Sequence, residues 1–183
     1  MHTNARRLSR ALYWIFLAGM VLAPLAASLI SLNLDWALKH AGQGLSFGFD
    51  LNVRPENVGP IFWDVQLLAL AAMAVPTAMI GYVFWNLARL FGNYARDAVF
   101  TDENTRRIRR VGILLLIREL LSPLEGAALS VILTMHNPPG QHLLNVSVED
   151  SNLTMIVTAL TIIVAAHVMA QAREIQAEAE LTI

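Results

Sequence analysis

Four long apolar runs, separated by polar stretches of different character, set the pattern of this chain. The first, residues 11–34, is almost free of charge. At about 1.5 Å per residue it is long enough to cross a bilayer core of roughly 30 Å. The others cover residues 65–91, 111–135 and 153–172. Each predicts a membrane-spanning helix, so the expected fold is all-α, a four-transmembrane-helix bundle forming one domain over residues 1–183. The second run is rich in alanine (Ala69, Ala71, Ala72, Ala74, Ala78), which lets helix backbones approach closely. Pro24 and Pro76 lie inside the first two runs and should bend them.

Arg6, Arg7 and Arg10 precede the first run. A basic leader before an apolar run also suits a cleavable signal peptide, with Leu25, Ala26, Ala27 and Ser28 as its cleavage site. The run continues past that site to Leu34, which favours a retained anchor. Thr101 reads as an N-cap with Asp102 and Glu103 in the first turn, where negative charge suits the helix dipole. The third helix should therefore begin before its apolar run. Asn137, Pro138, Pro139 and Gly140 should end it. Ser151 or Asn152 should cap the fourth helix, and the helix formers of residues 173–183 should extend it as a tail.

Two connections, 35–64 and 136–152, carry period-two alternation. Phe47, Phe49, Leu51 and Val53 alternate with Gly48, Asp50 and Asn52; Leu144, Val146 and Val148 alternate with Asn145, Ser147 and Glu149. Such spacing suits short strands. The two stretches are expected to pair as a small β-hairpin-like sheet, the alternative being two irregular loops.

Charge turns this pattern into an orientation. Of 183 residues, 56% are hydrophobic and 15% charged, against about a quarter charged in soluble domains. The mean hydropathy is +0.52, so the chain suits a non-aqueous solvent. The net charge of −1 gives no bulk basicity for nucleic acid. Ten of the 13 basic residues, Arg6, Arg7, Arg10, Arg89, Arg96, Arg106, Arg107, Arg109, Arg110 and Arg173, fall at the chain ends or beside the 92–110 loop. Lys39 and Arg54 lie in the opposite loops, and Arg118 lies inside the third run. This bias places both termini and the 92–110 loop in the cytoplasm. The absence of cysteine excludes disulfides, thiolate metal sites and cysteine nucleophiles.

The third run contains charges that need an explanation. Arg118 and Glu119 are adjacent, and Glu125 follows Arg118 by seven residues and shares its face. Ionisable groups at such depth cost a few kcal/mol, roughly 2.5–3.5 on insertion scales. Arg118 is near enough to the cytoplasmic end to snorkel, whereas Glu125 must be protonated, paired or hydrated. Antiparallel packing is expected to bring Asn86 and His167 against Arg118 and Glu119. The cluster reads in two ways: as a pH-, ion- or ligand-responsive site, or as hydrogen bonds that fix helix register, worth roughly 0.6–2 kcal/mol each.

Arg96, Arg106, Arg107, Arg109 and Arg110 form a basic surface. Attraction to anionic lipid headgroups, about 1 kcal/mol per residue, accounts for it more simply than nucleic acid, and direct nucleic-acid binding is not expected. Pairing with Glu174, Glu178 and Glu180 of the tail would orient a docking surface while adding little stability. Asn145-Val-Ser147 and Asn152-Leu-Thr154 match glycosylation acceptors, relevant only in a eukaryotic secretory route. The five histidines (His2, His40, His136, His142, His167) show no metalloprotease or zinc spacing, and there is no phosphate loop or nucleophile elbow. No enzyme, cofactor or metal is expected.

The stretch LARLFGNYARDAVFTDENTRRIRRVG, with the ending ELTI, resembles the bacterial membrane family named domain of unknown function 2975. Tyr94, Ala95, Val99, Phe100, Thr101 and Asn104 match the family's loop pattern. Asp97 stands where the family usually has glycine, which would supply a left-handed turn; aspartate adopts that conformation at some cost. The resemblance implies four transmembrane helices and no activity. Because family members are often encoded beside a small helix-turn-helix regulator, it also implies a link to transcriptional control.

The expected function is a non-enzymatic sensor or anchor in the bacterial inner membrane, working with such a regulator. The alternatives are a small oligomeric transporter or channel, and a lipid- or quinone-binding protein whose Trp36, Trp63, Phe47 and Phe49 form a lid. Those aromatics also fit an interfacial belt.

Overall fold

In the computed structural model, which describes residues 3–41, 55–99, 101–147 and 150–180, the basic leader and the first apolar run form one continuous helix, α1 (Thr3–Leu32). After Asn33 a short helix follows, α2 (Leu34–Ala41). Then come a 3₁₀ turn (Pro55–Asn57), α3 (Trp63–Ala95), α4 (Asp102–Thr134) and α5 (Asp150–Glu180). Pro24, Pro76 and Pro123 lie inside α1, α3 and α4, which continue through them.

Three of these helices are long and apolar enough to cross a membrane: Ala5–Leu32, Trp63–Ala95 and Asp150–Glu174. α4 matches them in length, but Arg118, Glu119 and Glu125 interrupt its apolar run. The four spans expected from the sequence therefore reduce to three of clear membrane character and one that carries charge.

The chain divides into two compact units. The first contains Met1–Val21, Met79–Glu119 and Ser151–Ile183; the second contains Leu22–Ala78 and Leu120–Asp150.

The second unit is held by a core of Leu34, Leu38, Val65, Ala69, Met73, Leu129 and Leu133, with Val58, Ile61 and Met135 packed against it. The spacing of Val65, Ala69 and Met73 puts one face of α3 inward, and Leu129 and Leu133 do the same for α4. α2 supplies Leu34 and Leu38 at helical spacing and leaves Trp36 exposed. α2 therefore occupies the start of the connection 35–64 expected from the hydropathy pattern. Ser31 donates to the carbonyl of Ala27 at 2.8 Å. The 3₁₀ segment closes onto α4: Gly59 N–H donates to the Leu133 carbonyl at 3.0 Å, and Asn137 Nδ2 donates to the Asn57 carbonyl at 2.9 Å. A Cβ on Gly59 would lie 2.5 Å from Asn137 Oδ1 and would displace the amide that holds the Asn57 carbonyl.

Among the described residues there is no strand. The first alternating stretch, 47–53, lies outside the described residues. The second is described over 144–147 and forms no ladder. Its backbone donors go to α4 instead: Leu143 N–H donates to Thr134 Oγ1 at 3.1 Å, and Asn145 N–H to Ser130 Oγ at 2.9 Å. Residues two apart in an extended segment point their N–H groups the same way, so two fully buried hydroxyls one helical turn apart hold the segment against α4. This explains an alternating sequence that makes no sheet contact there.

In the first unit, α1 and α3 pack through aromatic rings and glycines. Phe16 lies 6.0 Å from Phe84 and 5.5 Å from Phe91 between ring centroids. A Cβ on Gly19 would lie 3.0 Å from the Phe84 ring, and one on Gly92 would lie 3.3 Å from Tyr13. α4 and α5 are in close contact at Gly112, where a Cβ would lie 2.7 Å from Ile163 Cγ1 and 3.1 Å from the Ala159 carbonyl oxygen.

Candidate functional site: the turn between α3 and α4 and the buried charges of α4

α3 ends in a Schellman cap. The N–H of Ala98 reaches back to the Asn93 carbonyl at 3.1 Å, and the N–H of Asp97 to the Tyr94 carbonyl at 3.1 Å. This pattern requires a left-handed residue at the position held by Asp97. Asp97 has φ of 62°, and among the described residues it is the one non-glycine with positive φ. The aspartate thus adopts the backbone that the family pattern assigns to glycine. Arg6 on α1 bonds the Asp97 carboxylate, with Nε 3.3 Å from Oδ1 and a second contact from Nη2.

Asn104 organises the rest of the turn. It is fully buried, and its Nδ2 donates to the carbonyls of Ala98 at 2.6 Å and Val99 at 2.9 Å. Its Oδ1 accepts from Asn93 Nδ2 at 2.8 Å. Its own N–H donates to Thr101 Oγ1 at 3.2 Å, which makes Thr101 the N-cap of α4, as its sequence position predicts. Asn104 was visible in the sequence only as a matching motif residue. The sequence did not reveal its hydrogen bonds to Ala98, Val99 and Asn93.

The acids of this region are held by arginines. Asp97 is taken by Arg6, Glu103 by Arg107 one turn along α4, and Asp102 by Arg173 of α5. The hydrogen bond and charge of Arg107 hold the Glu103 carboxyl below the usual carboxylate range, and the charges of Arg89 and Arg106 act in the same direction. Arg7, Arg10, Arg89, Arg96, Arg106, Arg109 and Arg110 are exposed and pair with none of these three carboxylates. The guanidinium of Arg89 lies over the Trp85 ring, 4.5 Å from its centroid.

Of the expected link between the arginines and the tail glutamates, the described residues show only part. Arg107 turns to Glu103 of its own helix, and the tail meets α4 through Arg173 and Asp102. Glu174 is exposed; the side chains of Glu178 and Glu180 lie outside the described residues.

Deeper in α4, Glu119 is 6% exposed and has both oxygens engaged. Arg118 Nη1 donates to Oε1 at 2.6 Å, and Asn152 Nδ2 donates to Oε2 at 2.9 Å. Asn152, expected as a helix cap, is a buried partner for charge instead. Neither Asn86 nor His167 joins this group. The contact of Gly112 with Ala159 and that of Glu119 with Asn152 fix the α4–α5 register, which puts His167 near the level of Asn104. That is about 22 Å along α5 from Asn152, and His167 is exposed.

Asn86 is buried, and its Nδ2 donates to the Tyr82 carbonyl at 2.8 Å. The Asn93–Asn104 bond sets the α3–α4 register so that Asn86 lies level with Val111, roughly 10 Å short of Arg118. Glu125 is half-buried in the second unit. Antiparallel packing does not bring Asn86 and His167 level with Arg118 and Glu119, because α3 and α5 extend well beyond their apolar runs. Of the suggested lid, Trp36 and Trp63 are exposed, and Phe47 and Phe49 lie outside the described residues. Among the described residues no cluster of three or more metal-ligating side chains occurs.

Residues 51–183 match a family described as "Protein of unknown function (DUF2975)". No curated protein and no solved structure matches the chain.

Proposed function

The chain belongs to that family, and from this premise we propose that it is a non-enzymatic, multi-pass protein of the bacterial inner membrane that anchors a cytoplasmic helix-turn-helix regulator. In this reading α1, α3, α4 and α5 cross the bilayer, with both termini and the α3–α4 turn in the cytoplasm. The positive bias of those segments supports the orientation. Arg118, Glu119 and Asn152 support α4 as the charged fourth span, because they neutralise one another where water is absent. Both Glu119 oxygens are engaged, which favours a register-fixing role over a polar path for ions.

The observation that carries the docking role is the construction of the turn. Asn104, Thr101 and the Asp97 cap satisfy its backbone from within. A rigid tip is left that presents Arg96 outward, beside the tail fastened by Arg173. The regulator as partner is an expectation from the family resemblance.

Two measurements test this reading. Because the chain has no cysteine, Arg96→Cys and Leu144→Cys each give a single label site. An impermeant maleimide should modify only Leu144→Cys in intact cells, and labelling of Arg96→Cys would reverse the orientation. Tagged full-length protein from native membranes should capture the regulator. Deletion of residues 173–183, or Arg96→Glu, should lose it while the protein stays in the membrane fraction. An unchanged capture in both variants would remove the docking role.

A further inference from the structure

We propose that Arg89, held over Trp85, and Arg106 of α4 form a binding site for the phosphate of an anionic phospholipid. The proposal rests on the membrane placement given above and goes beyond the docking role. It starts from charge matching. The nearby carboxylates are already engaged: Glu103 by Arg107, Asp102 by Arg173 and Asp97 by Arg6. Arg89, Arg106, Arg109 and Arg110 are exposed and pair with none of these three carboxylates, which leaves a positive surface open to an anion from outside the protein.

Position identifies its source. The Asn93–Asn104 bond fixes the α3–α4 register, which puts Arg89 level with residues 107–109. Both Arg89 and Arg106 act electrostatically on Glu103, from different helices. Arg89 and Arg110 sit where the apolar runs of α3 and α4 stop, and the headgroup layer extends only about 5–8 Å beyond the hydrocarbon. Arg96 is roughly 10 Å farther along, beyond that layer and within reach of a soluble partner. The two sets of arginines therefore meet different surroundings.

Chemistry narrows the ligand further. A guanidinium stacked on an indole keeps its planar fork in one orientation, and that fork matches two oxygens of a phosphodiester. Trp85 brings an amphipathic ring to the same level, as expected at the boundary between hydrocarbon and headgroups. A zwitterionic lipid brings its own ammonium against the arginine cluster. A lipid with net negative charge, such as phosphatidylglycerol, does not.

The test uses full-length protein in detergent, equilibrated with equimolar phosphatidylglycerol and phosphatidylcholine, with retained lipid measured by native mass spectrometry. The expected result is a preference for phosphatidylglycerol of about tenfold or more. It should collapse towards parity in Arg89→Gln/Arg106→Gln and persist in Arg96→Gln. Arg89→Lys retains the charge but not the stacked fork, and should lose part of the preference. It serves as the test variant if the double substitution does not fold. Parity in the wild type, or a full preference in the substituted pair, would overturn the site; so would a loss confined to Arg96→Gln. Regulator capture by Arg89→Gln/Arg106→Gln should equal that of the wild type, so the lipid site and the docking role fail separately.

Discussion

The side-chain amide of Asn93 donates to Asn104 Oδ1 at 2.8 Å, and this bond turns the other end of the Asn104 amide onto the carbonyls of Ala98 and Val99. One buried side chain thus supplies partners for two carbonyls of the loop between α3 and α4. Asn104→Ala leaves both carbonyls and Asn93 Nδ2 without it. The expected loss exceeds about 2 kcal/mol, since each unsatisfied buried group costs roughly 1–3 kcal/mol. Thermal unfolding in detergent and protease cleavage between residues 96 and 104 would measure it. Asn104→Asp should do more harm, because it sets a carboxylate against two carbonyl oxygens.

Asp97 lets backbone and charge be separated. Its left-handed φ of 62° costs a non-glycine roughly 1–2 kcal/mol, while its ion pair with Arg6 is exposed and contributes about 0–1 kcal/mol. Asp97→Gly should therefore be neutral or stabilising. Asp97→Val should lose stability, since branching at Cβ resists this backbone. Equal melting temperatures for the two variants would contradict the argument.

Gly112 sets the α4–α5 distance. In Gly112→Ala the new methyl meets Cγ1 of Ile163, which moves only with its side chain, and the carbonyl of Ala159, which cannot move. A loss of about 1–3 kcal/mol is expected. Adding Ile163→Ala should recover only part of it. Full recovery would mean that the side chain alone, and not the backbone, limits the approach.

Glu119→Leu leaves Arg118 and Asn152 without their carboxylate. Breaking a buried pair from one side costs roughly 3–5 kcal/mol, whereas removing both charges is often close to neutral. Arg118→Leu/Glu119→Leu should therefore be more stable than Glu119→Leu alone. Denaturation in mixed micelles would show it, and a double variant weaker than the single one would refute the pairing.

Glu103 gives a pH dependence of known sign. Arg107 lowers its folded pKa, so its contribution is fully present above the usual glutamate range and fades as pH falls through the lowered value. The site is exposed, so the contribution is small. Wild type and Glu103→Gln should differ at neutral pH and converge in acid. Divergence in acid would reverse the assignment.

The apolar runs were legible because membrane solvation and helical length impose them on any sequence, and the helices at residues 65–91, 111–135 and 153–172 follow. The Thr101 cap was legible too, since local backbone chemistry decides it, whereas a left-handed turn at Asp97 was suggested only by the family resemblance. What escaped was register. Whether His167 meets Arg118 depends on how far α5 slides along α4, and Gly112 and Asn152 decide that through contacts with no periodic signature. The alternation of Leu144 and Val146 misled for a related reason. It reports an extended backbone but not its partner, and here Ser130 and Thr134 take the place of a neighbouring strand.

Glu119 takes its second donor from Asn152, which leaves the ribosome thirty-three residues later. On the membrane reading, α4 emerges during synthesis with its carboxylate paired to Arg118 but lacking this hydrogen bond, and its transfer into lipid is least favourable at that moment. α4 and α5 are thus suited to enter the bilayer together as a hairpin. A nascent chain arrested between them would hold α4 at the translocon rather than release it to the membrane.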